Sequence, residues 1–216
     1  SHEVLARTVA RESLTLLANA DSLLPLTPPE QHDALVVTLS DSEYPGTGGM
    51  FIDRLRGQTA IESVDTRRVD PRSDSGDVEE HLEAAPDYDV VIVSSFLQPR
   101  AWGGSIGLSD KHHDFLEDLV RQDGPPVAFV AFGNPYAPIG LEPAPDAVLA
   151  AYGSGDASQR AAGQAFGGTA GTPGRLPVTI PDVAEKGAGT TLAPVAPREG
   201  LPESVGMDGR QLAQLD

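Results

Sequence analysis

Between Pro126 and Tyr136 the chain reads Pro-Val-Ala-Phe-Val-Ala-Phe-Gly-Asn-Pro-Tyr, and this stretch limits the possible folds more than any other. Its apolar residues, Pro126 to Phe132, run without polar alternation and stop at Gly133-Asn134-Pro135. A strand with one wet face would alternate. An unbroken run therefore predicts a strand covered on both faces, as in a parallel sheet between layers of helix. Gly133 and Asn134 tolerate unusual φ and Pro135 cannot donate to a ladder, so the chain must turn there. In open α/β sheets the loop leaving the carboxyl end of such a strand is where ligands or partners meet the domain.

The rest of the chain supplies the expected companions. Periodic apolar residues predict a helix over 2–18, with Leu5, Val9, Leu16 and Leu17 on its inner stripe and Asn19 as a left-handed residue just past its end. Leu23-Leu24-Pro25-Leu26 then reads as an extended apolar hook. Strands are predicted at 34–40, 60–69, 89–95 and 148–152, with helices at 50–57, 78–85, 109–120 and 157–166 between or after them. Ser109 is the expected N-cap of the 109–120 helix, whose inner stripe is Phe115, Leu116, Leu119 and Val120. Strands alternating with helices give an α/β fold, a three-layer α/β/α sandwich around a largely parallel sheet of about five to six strands. Beyond Pro181 the apolar period is lost. Residues 1–181 then form the domain, 182–200 an Ala/Gly/Pro/Thr-rich linker, and 201–216 the opening of a further element. The chain begins directly in an amphipathic helix, as a piece of something longer would.

Composition narrows the partners. The formal net charge is −17, which repels polyanions and argues against nucleic acid or anionic lipid as ligand. Lys111 and Lys186 are the only lysines, and abundant carboxylates with scarce lysine suggest adaptation to high salt, where screening shortens repulsion. No apolar run approaches the roughly 18 residues of a membrane span, and no signal-peptide pattern opens the chain. With no cysteine, thiolate catalysis and cysteine metal sites are excluded, while the compartment stays open.

Individual motifs carry little chemistry. His112 and His113 precede Asp114, but adjacent helical side chains point about 100° apart and do not share an ion, so both read as solvent-facing first-turn residues. His2, His32 and His81 lie in separate polar surroundings, so no metal site is expected. Gly46-Thr47-Gly48-Gly49 lies between a strand and a helix like a dinucleotide loop, yet Phe51 takes the place of the third glycine. No Gly-x-Ser-x-Gly elbow occurs.

Four segments in register resemble the second domain of family 3 glycoside hydrolases: Ala10-Arg11-Glu12-Ser13 through Leu16-Leu17-Ala18-Asn19 and Leu23-Leu24-Pro25-Leu26; Phe132-Gly133-Asn134-Pro135-Tyr136; Ala151-Tyr152-Gly153; and Gly174-Arg175-Leu176-Pro177-Val178. The resemblance implies an N-terminal (β/α)8 barrel as partner, carrying the nucleophilic Asp and binding the carbohydrate. A glycosidase needs two carboxyl groups flanking one bond. In the β-glucosidase branch the second domain supplies an acid/base Glu from the loop that corresponds here to 96–108, and that loop contains neither Glu nor Asp. The resemblance therefore implies the β-N-acetylhexosaminidase branch, in which a barrel-loop His–Asp pair is the acid/base, and a chain with no catalytic residue and no cofactor of its own.

Arg100, Trp102, Asn134 and Tyr136 remain as sugar- or barrel-facing candidates, since indole stacks on sugar faces and guanidinium donates in a planar fork. The alternative for each is structural: a Trp packed onto its own domain, an Arg in solvent, a turn-forming Asn and a half-buried Tyr. The tail from Gly200 to Asp208, with Leu212 and Leu215, resembles the lead-in to a serine β-lactamase-like module, without that module's Ser-x-x-Lys motif. The rival to the glycosidase reading is a free-standing flavodoxin-like module that takes a nucleotide or other small anionic ligand at Gly46–Gly49.

Overall fold

A computed structural model describes residues 2–26, 31–97 and 107–195. Arg100, Trp102 and the tail 201–216 lie outside them. The elements in chain order are α1 (His2–Ser13), β1 (Thr15–Asn19), β2 (His32–Ser40), α2 (Gly49–Arg56), β3 (Ile61–Val69), α3 (Ser75–Ala84), β4 (Val90–Phe96), α4 (Asp110–Arg121), β5 (Val127–Ala131), β6 (Ala147–Ala150) and α5 (Asp156–Phe166). The six strands form one sheet ordered β1-β6-β5-β4-β2-β3. All neighbours pair in parallel except β1, which runs antiparallel to β6.

The two-residue period of a strand divides each apolar run between two cores. From β2, Ala34 and Val36 join one core while Leu35, Val37 and Leu39 join the other. β5 divides likewise, Ala128 and Val130 against Val127, Phe129 and Ala131. Phe51 and Leu55 of α2, Ala10 of α1 and Ala161, Ala162, Ala165 and Phe166 of α5 close the first core. Phe115, Leu116 and Leu119 of α4, with Val78 and Leu82 of α3 against them, close the second. This is the expected α/β/α sandwich. β3 lies at an edge and keeps most of its residues partly or fully exposed, which explains its weak apolar pattern; its charged side chains discourage further strand pairing.

Three expectations fail locally. Helix 2–18 stops at Ser13, and Thr15–Asn19 becomes an edge strand with Thr15 opposite Ala150 and Asn19 opposite Ala147. Leu14 and Leu16 are completely buried, whereas the expected inner residues Leu5 and Val9 are 62% and 57% exposed. Covering the open edge of β6 satisfies a row of backbone groups, and that tertiary gain overrides helix periodicity. Asn19 is accordingly extended (φ −159°) rather than left-handed. Its side-chain amide accepts from Leu24 N–H and donates to Leu24 C=O, both at 2.9 Å, and so holds the hook.

Second, residues 182–195, expected within a linker, are bound to the domain. Thr190 N–H donates to Leu16 C=O on the outer edge of β1 (2.8 Å), Leu192 N–H to Thr172 Oγ1 (2.9 Å), and Val195 N–H to Gly168 C=O (2.7 Å). Gly171 permits this closure, because a Cβ there would approach Leu192 C=O to 2.6 Å and Pro194 Cδ to 3.2 Å. Third, α3 begins at Ser75 rather than Val78. Asp74 and Asp77 form a reciprocal capping box, each side chain accepting from the other's backbone N–H. Among the described residues no helix is long and apolar enough to cross a membrane.

Phe132 joins the sheet to the helix layer. It stacks on Phe96 (centroids 4.6 Å apart) and meets Phe51 edge-on at 5.4 Å, and Phe51 in turn meets Phe166 at 5.5 Å. Phe132→Ala is expected to cost about 3–5 kcal/mol, whereas exposed Leu5→Ala is expected to change stability by no more than about 0.5 kcal/mol. Urea unfolding of the two variants checks both values.

Candidate functional site

The chain leaves β2 toward β3 on one side and returns to β4 on the other, so the strand order reverses between β2 and β4. The crevice at the carboxyl ends of these two strands is where this architecture offers a site. The loop 41–48 after β2, Phe96 and Leu97 at the end of β4, and the turn 132–137 after β5 surround it.

A polar knot fixes the base of these loops. Arg68, near the end of β3, donates to Ser42 C=O (3.3 Å) and Pro45 C=O (3.2 Å) and pairs with Asp70 at 3.4 Å. Asp70 also accepts from Arg72 N–H at 2.8 Å. Burial alone pushes the Asp70 carboxyl up; the Arg72 N–H and the Arg68 guanidinium outweigh it and hold its pKa below the usual carboxylate value. Lys111 Nζ donates to the carbonyls of Asp70 (2.7 Å) and Ser73 (2.5 Å). His112 is buried, not solvent-facing as its position in the first turn suggested. Its Nε2 lies 3.0 Å from Val69 C=O and its Nδ1 2.9 Å from Ser109 Oγ. Ser109 occupies the N-cap position but its hydroxyl meets this imidazole instead of a helix N–H. His81 is buried too, with Nε2 2.9 Å from Arg68 C=O. Neither histidine was legible as a carbonyl-bound post, because both partners are distant in sequence.

Asn134 is buried and shapes its own turn: Oδ1 accepts from Tyr136 N–H at 3.0 Å and its carbonyl from Ala137 N–H at 3.2 Å. Gly133 takes φ +87°, a left-handed value that favours glycine. Tyr136 is half-buried. The structure thus brings Asn134 and Tyr136 together at the carboxyl end of β5, while their companions Arg100 and Trp102 lie outside the described residues. Among the described residues no group of three or more His, Asp or Glu has metal-binding geometry.

The Gly46–Gly49 stretch forms two successive turns, Thr47 N–H to Tyr44 C=O and Gly49 N–H to Gly46 C=O. Gly48 is left-handed at φ +81°, and a Cβ there would meet the Phe96 ring at 3.1 Å. At the start of α2, Phe51 N–H is already taken by the Gln159 side-chain oxygen at 3.1 Å, and Gln159 is itself buried. A protein amide therefore occupies a donor that an anion would need at a nucleotide loop.

The sequence profile of the glycosyl hydrolase family 3 C-terminal domain matches residues 14–205. The chain belongs to this family. Solved structures share the fold of this family 3 C-terminal domain. A fungal multi-domain family 3 β-N-acetylglucosaminidase with a GCN5-related glucosamine N-acetyltransferase region superposes with a TM-score of 0.67 at 17% identity, over 87% of this chain and 20% of that one. The family 3 β-N-acetylglucosaminidase of Paenibacillus sp. str. FPU-7 gives 0.61 at 17% identity, over 81% and 32%. The β-glucosidase of Listeria innocua, in complex with isofagomine, gives 0.62 at 22% identity, over 84% and 27%. The family 3 C-terminal domain thus spans a third or less of each of these chains. No curated protein sequence matches this chain.

Asp70→Asn tests the knot. The variant is expected to lose about 1–3 kcal/mol at neutral pH, the cost of a buried charge-assisted bond. Because the folded-state pKa is depressed, the wild-type carboxylate contributes fully above its unfolded pKa and loses that contribution as pH falls through the folded value. Urea unfolding as a function of pH should show the gap between wild type and variant closing below the usual carboxylate range.

Proposed function

We propose that this domain is the non-catalytic accessory domain of a β-N-acetylglucosaminidase-type glycoside hydrolase. It packs on an N-terminal (β/α)8 barrel and lines the substrate cleft with the loops 96–108 and 133–145. One observation carries the reading: the loop that follows β4, at the reversal of strand order, has no Asp or Glu between Phe96 and Leu108. General acid catalysis of glycoside cleavage requires a carboxyl group or an equivalent proton donor within reach of the leaving oxygen. With none in this loop, the donor belongs to the barrel, and the domain's part is to position and cover the sugar. β-N-acetylglucosaminidases and a β-glucosidase share this fold, so the choice of branch rests on the composition of the loop.

In this reading Arg100 and Trp102 face the sugar or the barrel, and Asn134 with Tyr136 holds the adjoining turn at the interface. Residues 201–216 lead toward a serine β-lactamase-like module. The acidic surface keeps the protein dispersed in saline surroundings. The nucleotide-module alternative is weakened by the Gln159 amide at Phe51 N–H.

Residues 1–216 alone are expected to leave aryl β-N-acetylglucosaminide and aryl β-glucoside intact. The same chain joined to its barrel is expected to cleave the N-acetylglucosaminide with at least tenfold higher kcat/KM than the glucoside. Turnover by residues 1–216 alone, or a preference for the glucoside, contradicts the reading; micromolar binding in a nucleotide titration favours the alternative.

A further inference from the structure

In a chain of net charge −17, four arginines converge on one cleft. Arg7 and Arg11 of α1, Arg54 of α2 and Arg160 of α5 line a space of about 100 Å³ together with Ala161 and Gln164. The space is large enough for several waters or for one tetrahedral oxyanion. Like charges around so small a space repel, by about 1 kcal/mol per pair at roughly 4 Å in water and by more where water is excluded. A partner is therefore expected for each.

The protein supplies only part of that. Arg7 pairs with Glu3 at 2.5 Å, and Arg11 donates to the neutral Gln164 oxygen through Nε (3.2 Å) and Nη2 (3.0 Å). Asp53, beside Arg54, is engaged by Arg56 at 3.6 Å. Asp156 lies one turn before Arg160 on α5, and Glu12 follows Arg11, yet neither forms an ion pair among the described residues. The guanidinium groups of Arg54 and Arg160 have no hydrogen-bonded or ionic partner there, and the Arg54 Nε is buried with none. The stem of Arg54 lies where a side chain on α5 would be: a Cβ on Gly163 would come within 2.7 Å of Arg54 Cγ and 2.8 Å of its Cβ. Gly163 thus makes room for a half-buried cation, its Nε fully buried, that no protein anion among the described residues neutralises.

We propose that the α1–α2–α5 cleft binds a tetrahedral oxyanion, phosphate or a phosphate monoester, through Arg54 and Arg160 with Arg7 and Arg11 at its rim. Planar guanidinium groups suit this ligand because each can donate two parallel bonds to its oxygens. The cleft lies on the helix face of the sandwich rather than at the carboxyl edge of the sheet, so the proposal stands apart from the glycosidase reading.

Thermal unfolding at constant ionic strength tests it, with inorganic phosphate, phenyl phosphate and acetate each replacing chloride. The expected result is a saturable rise in Tm with phosphate, with or without the phenyl ester, and none with acetate. Arg54→Gln and Arg160→Gln should each weaken the apparent affinity at least tenfold, and Gly163→Ala should do the same by displacing Arg54. Arg67→Gln, on the β3 edge, should leave it unchanged. Exposed Arg160→Gln keeps the test meaningful should either change at the helix contact unfold the protein. A Tm that follows ionic strength alone, equal stabilisation of wild type and Arg160→Gln, or a response to acetate but not phosphate would overturn the proposal. The last outcome would mark the cleft as a seat for an acidic side chain instead.

Discussion

Burial of β2, β4 and β5 on both faces is the constraint to which the rest of the domain answers. A strand without a wet face needs two helix layers, and two helix layers need crossovers that bring every parallel strand out on the same edge. Aliphatic and aromatic side chains fill the middle of the sheet, and the buried hydroxyls of Thr38 and Ser94 pair with each other across β2 and β4 at 3.3 Å. Function is thereby displaced to the loops at the carboxyl edge and to the outward surfaces of the helices. The aromatic chain Phe96–Phe132–Phe51–Phe166 couples these regions, since it begins beside the site loops and ends in α5.

The polar knot around Asp70 answers a second need. Loops that bind must be held at their roots while their tips stay accessible. Arg68, Lys111, His81 and His112 meet this need through backbone carbonyls of 42–45 and 68–73, tying together the exits of β2 and β3 and the entry of α4. Positive and imidazole groups serve here as donors to carbonyls, in a protein whose surface charge is dominated by carboxylates. The charge excess thus obscures how basic side chains are placed: several lie inward, where they organise backbone, and four gather in a cleft between helices.

Legibility in the sequence followed the range of the interactions. The central strands were read correctly because a continuous apolar run has a local cause, burial on both faces. The helices α2, α4 and α5 were read from their own periodicity. The edges were not. Thr15–Asn19 kept an apolar spacing compatible with helix, and only the presence of β6's free edge makes it a strand. Residues 182–195 lack periodicity and so read as a linker, yet their hydrogen bonds to Leu16, Thr172 and Gly168 come from segments far away in sequence. His112 was misread for the same reason, its acceptor lying 43 residues earlier at Val69. Of the site, the turn at Gly133–Tyr136 was visible in its residue types; the knot beneath it was not. The resemblance to family 3 hydrolases rested on short turn motifs, and those motifs prove to be points where the backbone is constrained: Gly133 by a left-handed φ, Gly174 by close contact with Ser13 and Leu14.

A domain that shapes a glycosidase cleft without donating a proton, as proposed above, contributes to substrate binding and not to the proton transfer. The most direct measurement replaces residues 98–106 by a Gly/Ser loop of equal length in the barrel-containing protein and separates kcat from KM. A raised KM with kcat retained within about tenfold is the expected result, since removing positioning contacts weakens binding more than chemistry. A fall in kcat of about 10²–10⁴, the size of a lost general acid, with KM unchanged, would contradict it.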